Sequence, residues 1–287
     1  MSNSNRLYIS LDVVKRDYLK NLADVATYDE KVMNLIRVVS MDIEEMCKPH
    51  TKLTPTYFMP VTETRVFDHA WDTSYLRLDQ WLLGISSDGF TTKNGNTTIA
   101  ASDYYLMRQG TYNKKPYDRI VMKVGSTDSL EYTGTPQQAN SVTGRWGYCE
   151  DTEDTGATVQ DDFVTVSATT MLAETGLIEV GNMLFVGSEQ IFVSAVVEGD
   201  PNDTVTIERA QNGTTAATHV KETAIWRYAA PKDIEKLAGI SVARLYHRGT
   251  TSFADTTGTP PGGLPYVAAN VPEALVVINR YRREKWW

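Results

Sequence analysis

The chain has 287 residues, of which 41% are hydrophobic and 22% charged, an ordinary globular composition that excludes a largely disordered protein. Its formal net charge of −8 argues against a surface built to bind nucleic acid. No stretch approaches the roughly 18 apolar residues of a membrane-spanning helix, and the two cysteines, Cys47 and Cys149, fit no disulfide framework.

The first 50 residues predict two helices. Ser10 can cap a helix over residues 10–24, in which apolar residues recur at spacings of three and four. A second helix is predicted over 28–47, where Thr27 and Glu30 match the capping box. Its apolar stripe, which we expect to face a core, consists of Val32, Leu35, Ile36, Val39, Ile43 and Met46.

Residues 55–150 predict a β subdomain, because the helical period gives way to short runs of β-branched and aromatic residues. Turn signals at Asp88-Gly89 and Asn94-Gly95 separate these runs. The candidate strands are 57–59, 64–67, 75–78, 104–107, 119–124 and 142–148. The acidic stretch 150–156 is interpreted as a solvated linker, since it lacks the glycine and the bidentate glutamate of a calcium-binding EF-hand loop.

Residues 151–228 predict a second β subdomain, a small sandwich or barrel. The candidate strands are 163–166, 177–180, 183–186, 191–197, 205–208 and 224–228. His219 follows the turn at Asn212-Gly213. A lone histidine in such a place is expected to make local hydrogen bonds and not to bind a ligand.

The chain returns to helical periodicity over residues 231–248 and 272–286. The last helix ends in a basic tail: from Arg227 onward nine Lys and Arg residues stand against five Asp and Glu. Trp286 and Trp287 would make a monomer poorly soluble, so we expect a partner to bury them.

Neither pair of helices can bury its apolar stripe alone, so we expect the two pairs to meet in one bundle. The sequence therefore predicts an α+β fold: a helical bundle formed by the N- and C-terminal helices, with a large inserted β region of one or two small β subdomains. Residues 1–54 and 229–287 form the predicted bundle, 55–150 the first β subdomain and 151–228 the second. This layout favours a scaffold for assembly.

Motifs of catalysis are missing from the sequence. Gly187-Ser188-Glu189 lacks the downstream glycine of a nucleophile elbow, and no glycine-rich phosphate loop occurs. Cys47 and His50 have a spacing that metal ligands use, but no second pair completes four ligands. We therefore predict a protein that is not an enzyme and that has no metal or cofactor.

Two parts of the chain resemble proteins of the tailed-phage neck. One looks like a β module that recurs in neck and tail proteins. Its residues are Gly181-Asn182-Met183-Leu184-Phe185-Val186, Glu189-Gln190-Ile191-Phe192-Val193, Val205-Thr206-Ile207-Glu208-Arg209, Asn212-Gly213-Thr214 and His219. The chain ends are similar to the siphophage head–tail connector, or adaptor, family: residues 9–15 open a helix, a longer helix follows Tyr28-Asp29, and a late helix ends in a basic tail.

The resemblance implies a structural virion protein at the head–tail interface, made in the host cytoplasm. Adaptors of this family form a ring, commonly dodecameric, that docks on the portal protein, receives a stopper or tail-terminator protein, and lets DNA pass without specific binding. The implied docking tail consists of Arg280, Tyr281, Arg282, Arg283, Lys285, Trp286 and Trp287. Asp42, Glu44 and Glu45 are candidates for the channel wall, with a plain solvated face as the alternative.

Two alternative functions remain open. A stopper or tail-completion protein of the same neck should be mostly β with a plug loop, whereas helices frame this chain. A carbohydrate- or receptor-binding module would use exposed aromatic rings. The candidates for such rings are Trp71, Trp81, Tyr104, Tyr105 and Trp146, although core packing explains most of them better.

Overall fold

The chain folds into two compact units. Unit 1 comprises residues 1–49, 151–211 and 215–287, and unit 2 comprises residues 50–150 and 212–214. The predicted α+β class is confirmed, with terminal helices and a large antiparallel β region. The structure, a computed structural model, describes residues 5–20, 26–48, 55–69, 74–108, 111–112, 114–161, 166–250 and 272–282.

The first helix of unit 1 is shorter than its sequence predicts. Helix α1 (Leu11–Val13) continues as a π-helical turn, Val14–Tyr18, and the backbone leaves helical geometry at Leu19. Ser10 caps the helix as predicted, because its hydroxyl accepts a hydrogen bond of 3.3 Å from the amide of Val13.

The second helix is long and amphipathic. Helix α2 spans Asp29–Met46, close to the predicted range. A 3-10 turn over Ala26–Tyr28 replaces the predicted capping box, so the Thr27 hydroxyl does not cap the helix and that prediction is wrong. The buried residues are Val32, Met33, Ile36, Val39, Ser40, Ile43 and Glu44. Of the predicted stripe, Leu35 is only half-buried and Met46 is exposed.

Two C-terminal helices complete the bundle. Helix α3 (Lys232–Thr250) packs against α2, and α4 (Pro272–Tyr281) packs against α3. Helix α3 continues through Gly249, where the sequence predicts its end. Its Gly239 allows a close approach: a Cβ there would lie 2.4 Å from the ring of Tyr18.

The sheet of unit 2 is entirely antiparallel, with the order β1-β7-β2-β6-β4-β5 and β3 paired to β2. Its strands are β1 (Val61–Phe67), β2 (Tyr75–Thr92), β3 (Thr97–Thr98), β4 (Tyr104–Arg108), β5 (Thr111–Tyr112), β6 (Tyr117–Met122) and β7 (Asn140–Trp146). Its core includes the fully buried side chains of Leu78, Phe90 and Trp146.

Two predictions in unit 2 are wrong. The Asp88-Gly89 signal lies inside β2, where it forms a bulge in the pairing with β7; the chain does not reverse there. Asp88 has φ +53°, a value common in turns, and here it occurs within the bulge while the strand continues. Residues 57–59 form no strand, although Phe58 and Met59 are buried.

The second sheet, in unit 1, has the order β8-β13-β10-β11-β12-β9 and is also antiparallel. An antiparallel bridge between Val159 and Ala173 connects its two ends, so the six strands close into a small barrel. Its strands are β8 (Thr152–Thr158), β9 (Thr170–Glu174), β10 (Met183–Val186), β11 (Glu189–Val197), β12 (Asn202–Glu208) and β13 (Ala224–Tyr228).

The acidic stretch 150–156 is not a linker, because most of it forms β8. Glu153 lies opposite Arg227 of β13, and their side chains form an ion pair of 3.1 Å that offsets the acidic charge. Residues 177–180 form no strand, and the sequence does not predict β9. Of the predicted strand 163–166, only Val166 belongs to the described residues.

Candidate assembly surface

Helix α4 is anchored to α3 by one carboxylate. The Arg280 guanidinium and the Tyr281 hydroxyl both donate hydrogen bonds of 2.6 Å to Asp233. Asp233 lies in the first turn of α3, where the helix dipole favours a negative charge. The Tyr281 side chain is buried at this contact. The last turn of α4 is therefore fixed at the start of α3.

Arg282 connects α4 to the end of α2. Its guanidinium donates a hydrogen bond of 2.7 Å to the carbonyl oxygen of Met46, the last residue of that helix. The last carbonyls of a helix have no partner within it, and a cation there also complements the helix dipole. Of the predicted docking tail, Arg280, Tyr281 and Arg282 thus form bonds within the chain. Arg283, Lys285, Trp286 and Trp287 lie outside the described residues.

The three predicted acidic residues of α2 differ in exposure. Asp42 and Glu45 are exposed, as predicted. The surrounding protein removes part of the water around the Asp42 carboxyl, and this desolvation raises its pKa. Glu44 is only 3% exposed and accepts a hydrogen bond of 2.8 Å from Arg6 and another from the Tyr8 hydroxyl. The predicted exposed position is therefore wrong for Glu44, which holds the N-terminal segment to α2.

Apolar side chains are exposed on two helices of the bundle. On α2, Val38 and Met41 are 49% and 46% exposed, and on α4, Leu275 and Val276 are 54% and 65% exposed. Isolated exposed apolar residues are common on monomers, whereas two on the same helix make that helix a candidate for a contact surface. These four residues are the most exposed large apolar side chains of the two helices.

The barrel contains a buried ionic cluster that the sequence does not predict. Glu189 is fully buried and accepts hydrogen bonds from Arg209, from His219 at 2.9 Å, and from the amides of Ala210 and Ala217 at 3.1 Å. These hydrogen bonds outweigh the opposing effect of burial and lower the pKa of Glu189 to about 2. His219 forms a hydrogen bond, as predicted, but its partner Glu189 lies 30 residues away along the chain and is not a local one.

The lining of a cavity of about 170 Å³ in unit 1 includes both acidic and basic side chains, and these pair with one another. Glu153 bonds both Arg227 and Lys232, and Arg16 lies 3.8 Å from Glu179. Because the opposite charges compensate, the lining has no strong preference for an anion or a cation.

The aromatic candidates for sugar stacking are mostly inside unit 2. Trp81 and Trp146 are buried, and Tyr104 packs edge-on against Phe90, with 5.4 Å between ring centroids. Tyr105 is exposed, but the Lys123 ammonium lies 4.6 Å above its ring. Trp71 lies outside the described residues.

Cys47 and His50 have a spacing that metal ligands use, and of the two only Cys47 belongs to the part of the chain that the structure describes. There, no group of three or more His, Cys, Asp and Glu residues could hold a metal ion. Burial raises the pKa of the Cys47 thiol to about 12, and His50 lies outside the described ranges. No helix within those ranges is long and apolar enough to cross a membrane.

Comparison with known proteins gives no match to a family model, to a curated protein or to a solved structure.

Proposed function

We propose that this chain is a structural protein of the tailed-phage neck: an adaptor that forms a ring, docks on the portal protein and joins the DNA-filled head to the stopper or tail. The family that the sequence resembles commonly forms dodecamers. In this role the chain is a virion component that performs no catalysis, and DNA passes through its ring without specific binding.

The observation that carries the proposal is that α2 and α4 each expose large apolar side chains. Both helices belong to the same compact unit, so this unit can present both sets of side chains to a partner. Leu275 and Val276 lie on the same helix as Arg280, and this mixture of apolar and arginine side chains is typical of protein interfaces.

The charge of α2 supports passage of DNA. Asp42 and Glu45 remain exposed after the helix has packed against α3. Carboxylates on a channel wall repel phosphates and so prevent the duplex from adhering. Glu44 takes no part, because it is buried against Arg6 and Tyr8.

The test combines the full chain with its portal protein and images the mixture by negative-stain electron microscopy. We expect a ring coaxial with the portal. A variant that lacks residues 283–287 should fold normally but no longer join the portal. This deletion leaves Arg280, Tyr281 and Arg282 in place, so α4 keeps its anchors.

The matched control is Glu284→Ala, which alters the same segment without removing a tryptophan or a basic residue. It should bind the portal as the wild type does. If the full chain forms no ring and no complex with the portal, the proposed function is overturned. Normal docking by the shortened chain would show that the tail is not the portal anchor.

A further inference from the structure

Four basic side chains converge at one place in unit 2. A guanidinium nitrogen of Arg108 lies 3.5 Å from the carbonyl oxygen of Lys115. The Lys115 ammonium and the Arg145 guanidinium both contact the carboxylate of Glu150, the latter at 3.1 Å. Lys114, the neighbour of Lys115 along the chain, is exposed. The basic site, as it is called below, consists of Arg108, Lys114, Lys115 and Arg145.

The charge of the basic site is only partly neutralised by its surroundings. Lys115 and Arg145 share the single carboxylate of Glu150. Arg108 and Lys114 form no ion pair with any residue that the structure describes. Four cations thus stand against one carboxylate, so the site is strongly basic although the chain as a whole is acidic.

Two aromatic rings hold Arg108 in position. Its guanidinium lies 5.2 Å from the centre of the Trp81 ring and 6.0 Å from that of Tyr148. Stacking on a ring fixes the plane of a guanidinium while its N–H groups remain able to donate. A guanidinium held in this way can bind a carboxylate through two parallel hydrogen bonds, with little further loss of side-chain entropy.

The ligand class that fits the basic site best is an acidic segment of a protein. The chain's own Glu150 shows that a carboxylate fits between Lys115 and Arg145. Arginine, tryptophan and tyrosine are also enriched at the centres of protein interfaces. Duplex DNA fits less well, because it carries its phosphates along a rod and is bound by an extended basic stripe, whereas these cations form one cluster.

The barrel of unit 1 has a rigid corner where two turns are joined by hydrogen bonds. The Asp203 carboxylate, only 1% exposed, accepts hydrogen bonds from the amides of Gly176 at 2.8 Å and Gly199 at 3.0 Å. The Thr175 hydroxyl donates a hydrogen bond of 2.9 Å to the carbonyl oxygen of Pro201. The turn after β9 and the turn between β11 and β12 are therefore fixed to each other. This barrel corner comprises residues 175–177 and 197–202.

The barrel corner presents acidic and apolar side chains to solvent. Glu198 and Asp200 are exposed and form no ion pair with any residue within the described ranges. Val197 and Leu177 beside them are 62% and 38% exposed. Because the corner is already ordered, it loses little conformational entropy when a partner binds it. Its charge is opposite to that of the basic site.

We infer that the barrel corner of one copy docks on the basic site of the next copy, where Glu198 and Asp200 meet Arg108 and Lys114. The inference rests on the proposed ring and names a contact between its subunits. Two different surfaces of the chain meet, so the contact is head-to-tail, the type that generates rings when the rotation closes. Neither surface includes the exposed acidic residues of α2, which stay available for the channel wall.

Charge reversal on each surface tests the contact. The corner variant is Glu198→Lys/Asp200→Lys, and the site variant is Arg108→Glu/Lys114→Glu. Sedimentation velocity, with and without the portal protein, compares the wild type, each variant alone and their equimolar mixture. In each variant alone, like charges meet at every contact, so we expect self-association to weaken at least about tenfold.

The mixture should restore the oligomer. At contacts between unlike copies, an unchanged corner meets an unchanged site, or a reversed corner meets a reversed site. Opposite charges therefore face each other at every such contact. A general loss of stability in either variant would not be repaired in this way.

The control is Asp88→Lys/Glu222→Lys, which makes the same charge change as the corner variant at two exposed residues outside both surfaces. It should assemble as the wild type does. Thermal melting follows the folding of every variant. Arg108 packs on Trp81, so if the site variant melts early, Lys114→Glu replaces it and must show the same loss and the same rescue by the corner variant.

The outcomes separate this inference from the proposed function. Unchanged assembly of either variant, a mixture without rescue, or a wild type that self-associates neither alone nor with the portal overturns the inference. It is also overturned if the site variant loses affinity for duplex DNA and keeps the oligomer, because the basic site then binds nucleic acid. A wild-type oligomer with the expected rescue but no affinity for the portal supports the contact and overturns the neck function.

Discussion

Glu189 shows how a single buried carboxylate organises the loop between β12 and β13. Its two oxygens bind the Arg209 guanidinium, the His219 ring and two backbone amides, so the strand end and the loop share one anion. Side chains 20 and 30 residues away along the chain meet there. Sequence patterns predict a hydrogen-bonding His219 but not this partner, because no local period connects positions so far apart.

Substitution of this carboxylate should be costly. In Glu189→Gln, the buried Arg209 loses its counter-charge, and breaking a buried ion pair in this way destabilises proteins by roughly 3 kcal/mol or more. Urea unfolding of the variant should show a correspondingly lower free energy of unfolding. Glu198→Gln, on the exposed side of the same barrel, is the control and should change it by less than about 0.5 kcal/mol.

The same carboxylate predicts a pH dependence. The pKa of Glu189 is about 2 in the folded state, below its ordinary value of 4.5, so its stabilising effect is complete above pH 4.5 and is lost as the pH falls through 2. The difference in unfolding free energy between the wild type and Glu189→Gln should therefore narrow between pH 5 and pH 2. A difference that stays constant over this range would contradict the prediction.

The two cysteines should differ in reactivity. Burial raises the pKa of Cys47 to about 12, and the thiolate is the reactive form, whereas Cys149 is only half-buried. At pH 8, Ellman's reagent should modify Cys149 first and Cys47 only when the chain unfolds. In Cys149→Ser, rapid labelling of the remaining thiol without denaturant would show that Cys47 is accessible.

At the scale of elements, the anchoring of α4 by Asp233 can be tested directly. Asp233→Ala removes the acceptor of Arg280 and Tyr281 and should cost about 2 kcal/mol. The amides of residues 272–282 should then exchange with solvent tenfold faster or more. Glu235→Ala, in the same first turn but bonded only to Lys232 among the described residues, is the control and should leave this exchange unchanged.

Helical periodicity predicts α2, α3 and α4 well, because their apolar stripes are long enough to define a face. Short strands are harder to predict. Residues 170–174 contain Leu, Ala and Glu, which are ordinary helix formers, and only their pairing with β12 makes them a strand. Residues 152–158 are too acidic to suggest a strand until Glu153 meets Arg227.

The candidate surface is less predictable than the elements that carry it. Asp42 and Glu45 are predictably exposed because they lie opposite the apolar stripe of α2. The burial of Glu44 is not predictable from the helix alone, because it depends on contacts with Arg6 and Tyr8 outside α2. No sequence pattern shows that Arg77 and Arg119 are neighbours, since they meet only through the pairing of β2 and β6.

At the scale of the whole molecule, the two units should differ as isolated fragments. Residues 50–150 contain a seven-stranded sheet with its own apolar core, so this fragment should show a cooperative melting transition. The fragment 1–150 adds α1 and α2 without α3 and the barrel, and its helices should be digested rapidly by a protease. A stable, protease-resistant 1–150 fragment would contradict the division into these units.

Unit 1 is built from three separate segments of the chain, so its parts are synthesised at different times. Residues 50–150 leave the ribosome as one stretch and can complete their sheet early, apart from the tip 212–214. Helix α2 ends at Met46, and its packing partner α3 begins at Lys232. At ordinary translation rates the apolar stripe of α2 therefore stays exposed for on the order of 10 s before α3 is synthesised. A nascent chain therefore needs shielding during that interval. An interrupted chain never completes the bundle, which excludes unfinished copies from any assembly that depends on it.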